Sequence, residues 1–84
     1  MMIYVLTDHA RTAISERKIP LEWLERVIAG PGRVDPDAED PELEHRLGVI
    51  MEHAGRVLRV IINKNTDPVT VVTAYFDRAM RNKI

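Results

Sequence analysis

His9 and Arg17 are the two residues whose types and spacing give the clearest indication of chemistry in this sequence. Imidazole titrates near neutral pH, so a histidine can serve as a general acid or base. His9 falls in the first turn of a predicted helix, where the positive end of the helix dipole disfavours the protonated ring. Arg17 falls in the middle of the predicted buried face of the same helix. One short helix therefore presents a histidine able to exchange a proton and an arginine that leans inward.

Two helices near the start of the chain must position these residues. The first is predicted from Thr7 to Arg17, because the Thr7 hydroxyl can cap a free backbone N–H. The second begins at Pro20, which suits a first helical position, and ends at Gly30-Pro31, where the glycine is predicted to take a left-handed cap. The predicted buried residues of the two helices are Ala10, Ala13 and Ile14, then Leu21, Leu24, Val27 and Ile28.

Most of the remaining chain has the composition of strands. Gly32 to Pro41 is the exception, because it is polar and without periodicity, and it predicts a loop with at most a short extended piece at Val34. The strands are predicted at Met2 to Leu6 (or an extended lead into the first helix), Leu43 to Glu52, Arg56 to Asn63 and Val69 to Tyr75. The element order β-α-α-β-β-β predicts an α+β fold, an antiparallel sheet of three to four strands with two N-terminal helices on one face.

The alternation within the strands predicts which side chains face the core. In the first of the three consecutive strands, one set of alternate residues is predicted to face inward: Leu43, His45, Leu47, Val49 and Met51. Both faces of the next two strands are largely apolar, which places these strands centrally in the sheet. Arg59 is notable because it is a charge within such an apolar run. From Asp77 onward the sequence predicts a basic tail that can include a helical turn.

Size and composition indicate one small domain over residues 1–84. The chain of 84 residues has 45% hydrophobic and 30% charged residues, which is typical of a folded globular domain. It contains no cysteine, so disulfide and thiol chemistry are excluded. The opening apolar run, Met1 to Leu6, is too short for a signal-peptide core, and no stretch suits a membrane span, so the expected location is cytoplasmic. No metal-ligand spacing and no glycine-rich phosphate loop is present, so neither a metal site nor P-loop chemistry is predicted.

Charge is segregated along the chain although the formal net charge is only -1. The segment 56–84 has six basic residues against two acidic ones, whereas 35–55 has seven acidic residues against one basic residue. A basic end beside an acidic middle predicts either a polyanion site or charges that solvate one another.

The order of several short motifs resembles a known family. The stretches Thr7-Asp8-His9-Ala10 and Ser15-Glu16-Arg17-Lys18-Ile19-Pro20 match its opening pattern, and Leu58-Arg59-Val60-Ile61 and Val72-Thr73-Ala74-Tyr75 match its second half. The chain thus resembles the domain of unknown function 4258 family of small bacterial proteins, over nearly its whole length. That family is similar to RelE-like proteins of the wider barnase–EndoU–colicin–RelE superfamily of ribonucleases.

This resemblance implies a metal-independent endoribonuclease, often the toxin of a toxin–antitoxin pair. In such an enzyme the ribose 2′-hydroxyl attacks the adjacent phosphorus, and the reaction needs a base, an acid and cations. The resemblance carries the site over to four residues: His9, Arg17, Arg59 and Tyr75. The expected partners are RNA, including ribosome-bound mRNA, a cognate antitoxin, and a second copy of the chain, with no cofactor.

Each of these side chains also has a purely structural alternative. His9 can bond a nearby carboxylate or carbonyl, and Arg17 can cover the core with its stem. Arg59 binds phosphate, or it pairs across strands with Glu44 or Glu52.

The remaining candidates have the same two interpretations. Tyr75 stacks on a base, or it lies at the core edge with its hydroxyl in water. Arg78 and Arg81 contact the RNA backbone, or they form a solvated tail. His45 is predicted to be partly buried with its hydrogen bonds satisfied, and His53 to be a turn residue.

Two functions follow as hypotheses. In the first, His9 is the acid–base residue of an endoribonuclease, and Arg17 and Arg59 hold the phosphate. In the second, the protein is a non-catalytic module that binds a partner through the acidic Asp35–Glu44 loop and Trp23, or that dimerises through a sheet edge.

Overall fold

A computed structural model describes residues 2–84, so Met1, which the predicted domain and the opening apolar run include, lies outside the described residues. The chain forms two helices and a five-stranded sheet, which confirms the predicted α+β class. The elements are β1 (Val5–Leu6), α1 (Asp8–Glu16), α2 (Leu21–Ala29), β2 (Arg33–Pro36), β3 (Leu43–Ile50), β4 (Arg56–Asn63) and β5 (Thr70–Phe76), with 3-10 helices at Met51–His53 and Arg78–Met80.

The sheet has the strand order β1-β5-β4-β3-β2. Strands β2 to β5 are antiparallel, as expected, but β1 pairs in parallel with β5, with Val5 opposite Thr70. The observed sheet therefore has one strand more than the predicted three to four, and one of its pairings is parallel. The additional strand is β2, which lies in the segment predicted as a loop. Pro36 is compatible with this strand because β2 is at the edge of the sheet, where a missing N–H leaves no ladder bond unmade.

Helix α1 confirms the predicted cap and buried face, but it places Arg17 differently. The Thr7 hydroxyl accepts a hydrogen bond from the Ala10 N–H at 3.0 Å, and Ala10, Ala13 and Ile14 are buried. Arg17 is exposed at the C-cap, so its predicted place within the buried face is wrong.

A change of chain direction after α1 explains the error. Lys18 has φ 54°, and the next residue, Ile19, returns its N–H to the Ile14 carbonyl at 3.0 Å, as in a Schellman motif. Ile19 is only 4% exposed, so it occupies the buried position that an uninterrupted helix would give to Arg17.

Helix α2 buries Leu24, Val27 and Ile28, as predicted, while Leu21 is 48% exposed. The helix ends at Gly30, but this residue has φ -139°, so the predicted left-handed cap is wrong.

The two helices cover one face of the sheet, which we call the helix face. Its core combines the buried residues of α1 and α2 with alternate residues of the strands: Ile50, Leu58, Val60, Ile62, Val71 and Ala74. In β3 the predicted faces are partly inverted, because Gly48 and Ile50 lie on the helix face while Val49 is 38% exposed and Met51, just after the strand, is 75% exposed. Val27 packs closely on Gly48, since a Cβ at Gly48 would lie only 2.8 Å from the Val27 Cγ2 atom.

The other face of the sheet, which we call the open face, lies beneath the C-terminal segment. Leu47 and Val57 are 0% and 1% exposed without belonging to the helix-face core. The Asp77 N–H donates to the Val57 carbonyl at 2.9 Å, and the end of the Ile84 side chain lies beside Gly32. Residues 77–84 therefore return across the sheet and bring their basic side chains to the ends of β4 and β5.

Candidate functional site

An arginine-lined cleft opens where β4 begins and β5 ends. Its volume is about 400 Å³, within the range of small-ligand sites. The lining residues come from the two strand ends and the C-terminal segment: Arg56, Val57, Phe76, Asp77, Arg78 and Arg81. Three guanidinium groups around one cleft form a site for an anion, because each can offer parallel N–H donors to phosphate or carboxylate oxygens. We call this site the arginine cleft.

Asp77 positions the C-terminal wall of the arginine cleft. One of its carboxylate oxygens accepts from the Ala79 N–H at 3.0 Å and thereby caps the final 3-10 helix. The other oxygen accepts from Arg59 Nε at 2.9 Å. Arg81 adds a further tether, since its Nη2 donates to the Ala54 carbonyl at 3.0 Å. The two arginines of the tail are therefore held at a defined place beside β4.

Arg59 links Asp77 to a histidine and a second carboxylate on the open face. Its Nη1 lies 2.7 Å from His45 Nδ1, and His45 Nε2 lies 2.7 Å from Asp37 Oδ1. A guanidinium only donates, so the hydrogen-bond pattern assigns Nδ1 as the acceptor and places the imidazole proton on Nε2, toward Asp37. The side chains of Asp37, His45, Arg59 and Asp77 are only 13% to 21% exposed. We call these four residues the polar chain.

Asp37, at the far end of the polar chain, has a carboxylate that accepts several hydrogen bonds. Asp37 accepts from the Asp40 N–H, from His45 and from the Glu39 N–H. These bonds, the Asp40 N–H first, favour the ionised carboxylate and hold the pKa of Asp37 below its ordinary value. Asp37 therefore stays an acceptor for the Nε2 proton of His45.

An aromatic cluster adjoins the arginine cleft on the side of the helix face. It consists of Trp23, His53 and Phe76, with ring centroids separated by 5.5 Å (Trp23–His53), 4.7 Å (His53–Phe76) and 6.3 Å (Trp23–Phe76). Phe76 belongs to both features, because it also lines the cleft. The cluster brings together Trp23 from α2, the turn before β4 and the end of β5. His53 lies in that turn, as predicted, within the 3-10 helix that precedes Ala54 and Gly55.

The structure does not bring the four resemblance-derived residues together. His9 and Arg17 are exposed residues of the α1 region on the helix face. Arg59 and Tyr75 are direct cross-strand neighbours, and their alternation with Val60 and Ala74 of the helix-face core places them on the open face. Arg78 and Arg81 both line the arginine cleft. The sheet thus separates the predicted histidine from the strand arginine.

Arg59 forms an ion pair, but not with the predicted carboxylates. Glu44 pairs with Arg46 and Glu52 pairs with Arg26. Strand alternation explains the first of these, because Glu44 lies opposite the helix-face residue Ile62 and cannot meet a side chain of the open face. Glu52 lies beyond the end of β3, in the 3-10 helix.

Sequence reasoning did not assign a site role to Arg56, Asp77, Asp37 or His53. Asp77 carried a signal, since an aspartate immediately before a polar helical turn is a preferred N-cap. Nothing in the sequence indicated a site role for Arg56 beyond its positive charge. Asp37 and His45 are joined because β2 and β3 form a hairpin, and that pairing could not be predicted once β2 was taken as loop.

Within residues 2–84, no group of three or more histidine, cysteine, aspartate or glutamate side chains is arranged to hold a metal ion. In the same residues, no helix has the length and apolar character needed to cross a bilayer.

Comparison of the sequence with known protein families identifies the family of this chain. The family model for Domain of unknown function (DUF4258) matches residues 6–76. Searches of curated proteins and of solved structures give no match. The matched range includes Arg56, Phe76 and most of the polar chain, and it ends just before Asp77 and the tail arginines. Since the match spans most of the chain and both halves of the sheet, this protein belongs to the DUF4258 family.

Proposed function

We propose that this protein binds RNA at the arginine cleft and cleaves it by attack of the ribose 2′-hydroxyl on the adjacent phosphorus. The new P–O2′ bond replaces the P–O5′ bond, so the products are a cyclic phosphate and a 5′-hydroxyl that takes up a proton. The observation that carries the proposal is the convergence of Arg56, Arg78 and Arg81 on one cleft of about 400 Å³. Phosphodiester cleavage of this kind places negative charge on the phosphate in the transition state, and fixed guanidinium groups stabilise that charge. The family resemblance to RelE-like ribonucleases, with toxin activity and a cognate antitoxin, points in the same direction and is part of the proposal.

The charge of the cleft favours a polyanion. The only carboxylate in its lining is Asp77, and that carboxylate is already paired with Arg59. The three lining arginines therefore face the cleft without a neutralising acid of their own. Each phosphate contact made by such a side chain releases condensed counterions, so binding should weaken steeply with salt.

The cleavage step also needs a proton acceptor and a proton donor near the phosphate. His9 lies on α1, away from the lining residues, whereas the His53 ring contacts Phe76 of the cleft wall. We therefore assign the acid–base role to His53 in place of His9. Arg59 acts in this scheme as a positioning residue, because it holds Asp77 and hence the tail arginines.

The test is an RNA cleavage assay in EDTA with a fluorescent single-stranded RNA, and with the same sequence in 2′-O-methyl form as the non-cleavable control. We expect cleavage of the RNA alone, with loss of activity in Arg56→Ala and His53→Ala. His9→Ala and Arg11→Ala, which change exposed residues of α1, serve as matched controls. Full activity in His53→Ala together with loss in His9→Ala would refute the assignment. Absence of any cleavage, with RNA binding also unaffected by Arg56→Ala, would refute the proposed function.

Partner binding is a second candidate function, favoured by the edge strand β2. Val34 in this strand is 49% exposed, and the outer edge of β2 offers backbone groups to a strand of a second copy or of an antitoxin. Light scattering coupled to size-exclusion chromatography tests it. A dimer of the wild-type chain that Val34→Lys converts to monomer would support this function, and a monomer at all concentrations would exclude self-association.

A further inference from the structure

We infer that the aromatic cluster is a nucleobase subsite, and that the protein takes a single-stranded RNA segment with one unpaired base stacked beside the phosphate in the arginine cleft. This inference rests on the proposed RNA binding and names the part of the ligand that lies next to the phosphate. It is carried by the juxtaposition of the two features through Phe76, which is a member of the cluster and a wall of the cleft.

The distribution of aromatic residues supports a stacking role. The chain has only one Trp, two Tyr and one Phe, so aromatic side chains make up 5% of it. Two of these four rings and a histidine gather at this one place, where Trp23 and Phe76 also pack against the aliphatic buried core. Trp23, His53 and Phe76 are all partly exposed. Partly exposed rings beside guanidinium groups are the combination by which proteins hold single-stranded nucleic acids, with stacking for the base and charge for the backbone.

The geometry places the two kinds of contact side by side. Arg81 donates to the carbonyl of Ala54, the residue directly after His53, so the tail arginine and the cluster share a wall. Arg56 follows two residues later on the same strand end. A base held against Phe76 would therefore lie beside a cleft lined by the three arginines. Duplex RNA cannot enter in this way because its bases are already stacked on one another, so the subsite selects unpaired segments.

Trp23 supplies a direct readout, because it is the only tryptophan in the chain. The probes are two short 2′-O-methyl RNA oligonucleotides of equal length and charge, one with a central adenine and one with a central abasic sugar. They are titrated into the full chain at constant ionic strength, and binding is followed by oligonucleotide anisotropy and by Trp23 fluorescence. We expect the adenine oligonucleotide to bind roughly tenfold more tightly than the abasic one, from the usual size of one base–aromatic stack. We also expect it alone to change the Trp23 emission.

Phe76→Leu separates stacking from charge. Leucine keeps an apolar side chain against the core but cannot stack, so the variant should bind both oligonucleotides with the affinity that the wild-type protein has for the abasic one. Tyr4→Leu, which changes an aromatic residue outside the cluster, is the matched control and should retain the tenfold preference. Thermal unfolding of both variants verifies that they are folded.

The failures of the two proposals are distinguishable. Equal affinity for both oligonucleotides with unchanged Trp23 emission, while Arg56→Ala still weakens binding, would overturn the nucleobase subsite and leave the RNA-binding proposal standing. Binding of neither oligonucleotide would overturn both.

Discussion

Replacing Asp77 with alanine should destabilise the protein far more than its position near the end of the chain suggests. The variant removes the carboxylate from Arg59, whose side chain is only 13% exposed, and from the Ala79 N–H that it caps. A hydrogen bond to a charged group contributes about 1.5–3 kcal/mol, and loss of a helix cap costs about 1 kcal/mol. These two contributions sum to about 2.5–4 kcal/mol, and an arginine left without its partner in a largely buried place adds to the loss, so we expect about 3–5 kcal/mol in total.

Chemical unfolding measures this directly. Urea titration followed by far-UV circular dichroism should show a lower midpoint for Asp77→Ala with an unchanged slope, and the thermal midpoint should fall by roughly 10 °C or more. Asp77→Asn retains an oxygen that can cap Ala79 but loses the charge, so its stability should lie between those of the alanine variant and the wild-type protein. Asp67→Ala, an exposed aspartate of the β4–β5 loop, is the matched control and should change the free energy of unfolding by less than about 0.5 kcal/mol.

One result would refute the reasoning about Asp77. If Asp77→Ala were as stable as Asp67→Ala, Arg59 would have no dependence on this carboxylate, and the tail would not be held by the polar chain. A double-mutant cycle with Arg59→Met sharpens the measurement. The coupling energy between the two positions should reach the upper part of the roughly 0.5–3 kcal/mol range for contacting pairs, whereas independent contributions would give a value near zero.

Three further outcomes follow from single contacts. Gly48→Ala should lower the free energy of unfolding, measured in urea, by about 1–3 kcal/mol. The new Cβ would lie 2.8 Å from Val27 Cγ2, so the core must shift. Wild-type stability of the variant would mean that α2 does not pack against Gly48. Glu52 has its pKa lowered to about 2 by Arg26, so this pair stabilises the fold above the ordinary carboxyl pKa and loses that effect as the pH falls toward about 2. Glu52→Gln should therefore flatten the decline of thermal stability between about pH 4.5 and 2. Arg56→Ala should weaken RNA binding and make the slope of log affinity against log salt concentration smaller by about one, the effect of losing one phosphate contact. An unchanged slope would place Arg56 outside the interface.

The sequence was sufficient to predict the elements whose signals are local. Thr7 marked the start of α1, and the periodicity of Leu24, Val27 and Ile28 identified α2 and its buried face. The strands β3, β4 and β5 were recognisable from their composition and from the turns between them. These predictions held because propensity, capping and apolar periodicity acted on the same few residues.

The incorrect predictions share a different physical origin, since each depended on residues distant in sequence or on a change of chain direction. The place of Arg17 was extrapolated along a helix that ends one residue earlier, and the left-handed Lys18 gives the buried position to Ile19. Alternation assigned Gly48 and Ile50 of β3 to the solvated set, but both lie on the helix face. Val27 packs against Gly48 there, a contact between distant residues that alternation does not encode.

Of the candidate site, the sequence predicted only some of the charged residues and not how they are brought together. Arg78 and Arg81 were selected from the basic end of the chain, and they line the arginine cleft. Their partner Arg56 and their positioning residue Asp77 required knowledge that the tail folds back onto β4. Arg59 was recognised as an unusual charge in a central strand, but its partners lie on β3 and in the tail, out of reach of any local pattern.

The polar chain makes the arginine cleft depend on groups that do not line it. Arg59 donates to Asp77 through Nε and to His45 Nδ1 through Nη1, and His45 can accept there because its Nε2 proton is donated to Asp37. Arg59→Lys would keep the positive charge but offer a single ammonium group, which cannot satisfy His45 and Asp77 in the same fork geometry. The tail arginines should then lose their fixed place although none of them has been changed. In the proposed function, Arg59 is therefore the positioning residue of the C-terminal cations.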